Sequence, residues 1–220
     1  MTSVITGDII NSRGLDDPNT WMTGLKELFE TVGPAPEIWD IYRGDSFQLE
    51  VKEPELLFMT ALRIKATIKS VKGIDVRLAM GIGEKQYAAE RITESNGEAF
   101  LFSGELYEKL KNEKLSMAIR SPWPDWDTEM NLYFKLGLIA MDQWKSKTAQ
   151  LVKVALSNPE KGQQEIADLL GIQQAAVSQG FKRAHLNELM ECDVIFRKKL
   201  KTQMDTYVTA DQTPDRPSAG

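Results

Sequence analysis

The chain has 220 residues, 42% of them hydrophobic, and a formal net charge of −5. That length accommodates one large domain or two modest ones with packed cores, and the negative balance excludes a generic polyanion binder. A single cysteine, Cys192, excludes an internal disulfide framework and fits a reducing, cytoplasmic setting.

No basic stretch followed by an apolar core opens the sequence, so no signal peptide is expected. The richest apolar segment, NLYFKLGLIAMDQW, carries Lys135 and Asp142 and is too short to span a bilayer. A membrane is therefore not an expected partner.

In chain order, residues 2 to 10 are rich in Thr, Val and Ile and read as a buried strand. Asp17 suits a helix cap and Pro18 its first turn, where a missing N–H does no harm. Trp21, Leu25, Leu28, Phe29 and Val32 then share a helical face, and GPAP ends that helix. EIWDIYR and FQLEVK alternate about the turn GDS, a hairpin with Asp45 at its tip. A helix over about 54–71 carries Leu57, Ala61, Ile64 and Ile68 inward; DVRLAMGIG reads as a central strand. AERITESNGEA is polar, a loop or short helix; AFLFSGELYEKLK is helical; LSMAIRS is a short strand. The order β-α-β-β-α-β-α-β predicts an α+β sandwich, with helices on one face of a mostly antiparallel sheet.

SPWPDW, residues 121–126, interrupts regular structure with two prolines, and strand signals stop beyond it. The expected organisation is a domain over 1–120, a linker and the start of a connecting helix over 121–137, an all-α domain over 138–204 and a disordered tail over 205–220. Charge is uneven across this division. Residues 141–220 hold 11 Lys and Arg against 10 Asp and Glu, the remainder 16 against 22. Any nucleic-acid contact is therefore expected in the C-terminal part.

Asp8 ends the first strand and Asp45 tips the hairpin. In a β-α-β-β sheet the first strand commonly lies beside the hairpin, so both carboxylates can meet at one edge. Two hard oxygen donors there suit Mg²⁺, which takes one or two carboxylates together with substrate phosphates and waters. The turn after Asp8 supplies backbone N–H groups, Ser12 and Arg13 for a phosphate. A Gly-Asp hairpin turn is common, and a lone Asp at a strand end can simply cap a loop; the coincidence of the two is the signal.

QQEIADLLGIQQAAVSQGFKRAH, residues 163–185, fits a helix-turn-helix. Ile166, Leu170, Ile172 and Val177 supply a shared core, Ala167 is small at the crossing, and Gly171 suits the positive φ of the turn. The second helix then presents Gln173, Gln174, Ser178, Gln179, Lys182 and Arg183, residue types that read base edges and phosphates in DNA. Gly180 inside that helix costs about 1 kcal/mol relative to Ala. The near-neutral charge implies that DNA affinity needs a homodimer; use of the motif for packing alone is the competing reading. His185, the sole histidine, excludes a His-based metal site or triad within one chain and suits the helix C-terminus. Cys192 reads as a small packing residue, and Trp123 and Trp126 as pins for the linker.

GDIINS, YRGDSFQLEV, VRLAMGIGE and GEAFLFSGELYEKL, with the order of elements, resemble the catalytic core of class III nucleotidyl cyclases and GGDEF diguanylate cyclases over roughly residues 1–120. The whole chain resembles the SatD family, which joins such a domain to a helix-turn-helix. The resemblance implies a cyclase or ferredoxin-like sandwich binding a purine nucleotide with Mg²⁺, or Mn²⁺ in its place. Asp8, Asp45 and the Ile9 carbonyl would be metal ligands, and Asn11, Ser12 and Arg13 would face phosphate. The late-helix Asn and Arg of cyclases fall at Leu101 and Glu105, the acidic residue after the hairpin Asp is Ser46, and the first hairpin Gly is Arg43. Loss of an arginine at the transferring phosphoryl group weakens turnover by orders of magnitude, with Arg13, Arg43 or Arg77 as substitutes. The expected function is thus a nucleotide-binding transcriptional regulator. The alternative is an active cyclase or nucleotidyltransferase, in which a ribose hydroxyl attacks an α-phosphate.

Overall fold

The computed structural model describes residues 1–211. Strand β1 (Thr2–Ile10) is the middle strand of a five-stranded sheet ordered β2-β3-β1-β4-β7. The hairpin strands β2 (Trp39–Tyr42) and β3 (Ser46–Val51) flank it on one side; β4 (Asp75–Gly83) and β7 (Met117–Arg120) flank it on the other. Three of the four pairings are antiparallel, and β7 alone runs parallel to its neighbour β4. The stretch expected as a loop or short helix holds a 3-10 helix at Ile92–Glu94 and a short strand, β6 (Asn96–Gly97), which pairs with β5 (Lys85–Tyr87) just before it in a separate two-stranded sheet.

Period-two alternation decides which side chains meet which helix. Ile5 and Ile9 of β1, with Val76, Leu78, Met80 and Ile82 of β4, enter a large core. They pack there with Trp21, Leu25 and Phe29 of α1 (Asn19–Glu30) and Phe58, Ala61 and Ile64 of α2 (Leu57–Lys69). The other face carries Val4, Thr6 and Ala79, and is covered by α3 (Glu98–Glu113) through Ala99, Phe100, Leu106 and Leu110. Helices therefore cover both faces, not one. Glycine makes the second layer: a Cβ on Gly81 would lie 2.2 Å from the Ala99 carbonyl oxygen, and one on Gly83 2.9 Å from the Ala99 nitrogen. The cap position of α1 falls to Pro18, not Asp17; Asp17, one residue earlier, accepts the Asn19 N–H on its Oδ1 at 2.9 Å.

The segment expected as a linker is a packed element. Helix α4 (Pro124–Met141) places Pro124 in its first turn and buries Trp126, Met130, Phe134, Leu138 and Met141 in the large core. Its Asn131 side chain brackets β7, accepting from the Ile119 N–H at 2.8 Å and donating to the Ile119 carbonyl at 2.9 Å. Helix α5 (Ser146–Ser157) lies on α2, with Ala149 and Val152 in the same core. Fully buried Lys65 of α2 ties these parts together, 2.8 Å from both Asp75 at the start of β4 and Asp142 just after α4.

Helices α6 (Gln163–Leu170), α7 (Gln174–Ala184) and α8 (Leu186–Asp211) complete the described chain. Helix α8 runs through residues 205–211, part of the expected disordered tail; residues 212–220 of that tail lie outside the described residues. Among the described residues no helix is long and apolar enough to cross a membrane.

Candidate functional site

The ladder brings the two acids to one place. In β1, Asp8 pairs with Ser46 of β3 on one side and Arg77 of β4 on the other. The Ile9 N–H donates to the Asp45 carbonyl at 3.0 Å, which holds the hairpin tip against the end of β1. The tip itself is a three-residue turn, with Arg43 and Gly44 at positive φ of 54° and 88°. Asp8 and Asp45 line one cleft of about 770 Å³ at this end of the sheet. Ile9, Asn11, Ser12 and Arg13 line it too, and so do Lys72, Arg77 and Lys111.

Hydrogen bonds order the cleft. Ser12 Oγ donates to Asp45 Oδ2 at 2.6 Å, so the turn after β1 is fastened to the hairpin acid. Asn11 starts that turn at φ 63°, a left-handed conformation that Asn tolerates better than most residues. Arg77 Nη1 donates to Asp8 Oδ1 at 2.7 Å, with Arg77 and Asp8 only 13% and 18% exposed. The buried Nε of Arg77 makes no hydrogen bond among the described residues. Burial raises the Asp8 carboxyl above its ordinary value; Arg77 opposes this, and the Asp45 charge adds to it. Tyr107 of α3 is pushed up by burial and then by the Asp8 charge.

Chemically this is a mixed-charge cleft: two carboxylates at the strand ends, with Arg13, Lys72, Arg77 and Lys111 around them. Two hard oxygen donors at one point fit a divalent cation, and the surrounding cations fit the phosphates that would accompany it. Asp8 already spends one oxygen on Arg77, so a cation there competes with the guanidinium. Among the described residues no group of three or more His, Cys, Asp or Glu side chains gathers; a cation would rest on the two acids, carbonyl oxygen and water.

One expected residue is elsewhere. Arg43 stands exposed on the turn and does not line the cleft, because its positive φ turns it away from β1. Leu101 and Glu105 of α3 also lie outside it: Leu101 is 55% exposed, and Glu105 pairs with Arg120. Lys72 and Lys111 were missed. Lys111 follows Tyr107 by one helical turn and so shares its face; Lys72 sits in the turn before β4, where only the folded chain brings it to Asp8.

The second region is the helix-turn-helix. Gly171, at φ 62°, ends α6, and the Ile172 N–H closes back onto the Ala167 carbonyl at 3.0 Å. Ile166, Ala167 and Val177 pack with Leu151 of α5. Ile172 is 43% exposed and is not part of that core, since the reversal at Gly171 carries it outward. Gly180 is not a defect. A Cβ there would lie 2.1 Å from Leu151 Cδ2, so the absent side chain lets α7 settle on α5.

Gln173, Gln174, Gln179, Lys182 and Arg183 are exposed on or beside α7, while Ser178 is half-buried. Gln174 donates to the Gln163 side chain at 2.8 Å, which fixes its orientation. His185 ends α7 at φ 52°, and Trp144 Nε1 donates to the Ala184 carbonyl at 3.1 Å.

No protein-family model, curated protein or solved structure matches this chain. The five-stranded mixed sheet and its helices define a mixed α+β protein.

Proposed function

We propose that this chain is a nucleotide-responsive transcriptional regulator. Its sheet, read as a cyclase or ferredoxin-like sandwich, takes a purine nucleotide with Mg²⁺, and its helix-turn-helix takes DNA. The observation that carries this reading is the convergence of Asp8, Asp45 and the Asn11–Ser12–Arg13 turn on one cleft ringed by Lys72, Arg77 and Lys111. Asp8, Asp45 and the Ile9 carbonyl would hold the cation. The cation neutralises phosphate charge when bound. Arg13, Lys72, Arg77 and Lys111 are the groups able to pair with phosphate oxygens, and Arg77 has donor capacity beyond its bond to Asp8.

Binding without turnover is favoured over the active cyclase. The α3 positions that carry the catalytic Asn and Arg in the resembling enzymes hold Leu101 and Glu105, and both lie away from the cleft. On the DNA side, Gln173 beside α7 and Gln174, Gln179, Lys182 and Arg183 on it are accessible.

Calorimetry with ATP or GTP and Mg²⁺ tests the sensor, with chromatography of the same mixtures for product. Heat that disappears in Asp45→Ala, without new product, is the expected result. Product formed by the native chain and lost in Asp45→Ala would replace the sensor by the enzyme. Absence of heat with every nucleoside triphosphate would remove the nucleotide altogether. Selection of DNA from a random pool should enrich a motif whose binding weakens in Lys182→Ala.

A further inference from the structure

Helix α4 is apolar on two sides. Trp126, Met130, Phe134, Leu138 and Met141 enter the core. On the opposite side Leu132, Leu136 and Ile139 remain 54%, 57% and 70% exposed. A helix apolar all round belongs in an interior. Beside this stripe runs α8, where Val194 and Ile195 are 63% and 41% exposed. Leu136, Ile139 and Ile195 line the groove between the two helices, about 480 Å³ in volume. The five side chains offer apolar surface on the order of 500 Å², near the upper end for a monomer and over half the roughly 800 Å² each partner gives a stable interface.

The charges on α8 say what covers this face. Among its exposed residues are Glu188, Glu191, Val194, Ile195, Lys198 and Lys201, with the acids Glu188 and Glu191 before the apolar pair and the bases Lys198 and Lys201 after it; Asp205 lies a turn further on. Glu191 and Lys198 are equally far from the midpoint between Val194 and Ile195, and so are Glu188 and Lys201. Two α8 helices crossing antiparallel on a two-fold axis at that midpoint set each acid against a base, with the apolar pair at the centre. Parallel pairing would set like against like. Glu191 and Lys198 make no ion pair within the chain among the described residues.

We infer that the α4–α8 face is the site where a second copy of this chain docks, isologously, about a two-fold axis at Val194 and Ile195. The helices bury Leu132, Leu136 and Ile139 against the second copy, and Glu191 meets Lys198 of the other chain twice per dimer. Arg183 at the end of α7 also lines this groove, so the contact is tested with the full chain in the absence of nucleotide and DNA.

Sedimentation equilibrium should show a dimer at micromolar chain concentration. Glu191→Lys and Lys198→Glu should each raise the dimer Kd by about tenfold or more, because each sets like charges together at two places. The double variant, which restores opposite charges, should return to within about threefold of the native Kd. Ile195→Asp should be monomeric, with an unchanged circular dichroism spectrum to show that it is folded. A native chain that stays monomeric at about 100 µM overturns the inference. So does a dimer indifferent to the single reversals, or single losses that the double variant fails to reverse.

Discussion

Arg77→Met tests how the cleft is held together. The substitution keeps much of the aliphatic volume and removes the guanidinium that donates to Asp8 at 2.7 Å. Breaking a fully buried pair from one side costs about 3–5 kcal/mol. With the two side chains 13% and 18% exposed, solvent offsets part of that, leaving about 2–3 kcal/mol at neutral pH. For a chain of this length that lowers Tm by roughly 5–10 °C.

The pH dependence follows from the causes acting on Asp8. Without Arg77, burial and the Asp45 charge both raise its carboxyl above the ordinary 3.8. The native state then keeps a proton that the unfolded chain has lost. In the native chain Arg77 offsets part of that rise, so the deficit grows as pH rises from the native chain's already raised value through the variant's higher one, and vanishes below both. Urea unfolding at about pH 7.5 and about pH 4.5, native chain beside variant, measures this difference. Millimolar Mg²⁺ should recover part of the loss at the higher pH by taking the guanidinium's place beside the acids. A variant as stable as the native chain at neutral pH, or a deficit equal at both pH values, would refute the reasoning.

Further outcomes are expected at two glycines and at Cys192. Gly81→Ala should cost about 3 kcal/mol in urea unfolding, the upper end for overpacking, because the added methyl meets backbone of α3 that cannot rotate away. Gly104→Ala in the same helix, where an added Cβ meets nothing within 4 Å, should instead stabilise by up to about 1 kcal/mol. Burial, and then the Asp193 charge, pushes the Cys192 thiol up to about 11 from 9.0. At about pH 8 its reaction with a disulfide reagent should be roughly 100-fold slower than in urea-unfolded chain. Since the unfolded thiol ionises first, stability should fall as pH rises from 9 towards 11, and less so in Cys192→Ala.

Much of the fold is legible in local pattern. The apolar run of β1, the hairpin about Gly44 and Asp45, and the α6–Gly171–α7 corner all form close to where their residue types place them. The sandwich with helices on one face misreads β4. VRLAMGIG is apolar or small at nearly every position, which marks a strand covered on both sides. Gly81 and Gly83 in this strand are the contact surface for α3. Pro122 and Pro124 read as a boundary, yet a proline in the first turn of a helix loses nothing. Trp126, Met130, Phe134, Leu138 and Met141, spaced by four, four, four and three, carried the signal that α4 packs inward. For the cleft, strand order brings Asp8 and Asp45 together, but Lys72 and Lys111 reach it only through register and helix rotation.

The bond from Trp144 to the end of α7, and the ion pairs of Lys65 with Asp75 and Asp142, leave the helix-turn-helix without a hinge of its own. Helix α7 is fastened through Trp144 to the end of the segment that Lys65 ties to β4. Any rearrangement around Asp75 would be transmitted as tilt of the whole helix, with no bend inside it. Such tilt is felt only relative to something else, so a lone copy would have little to report and a pair would have an angle to change.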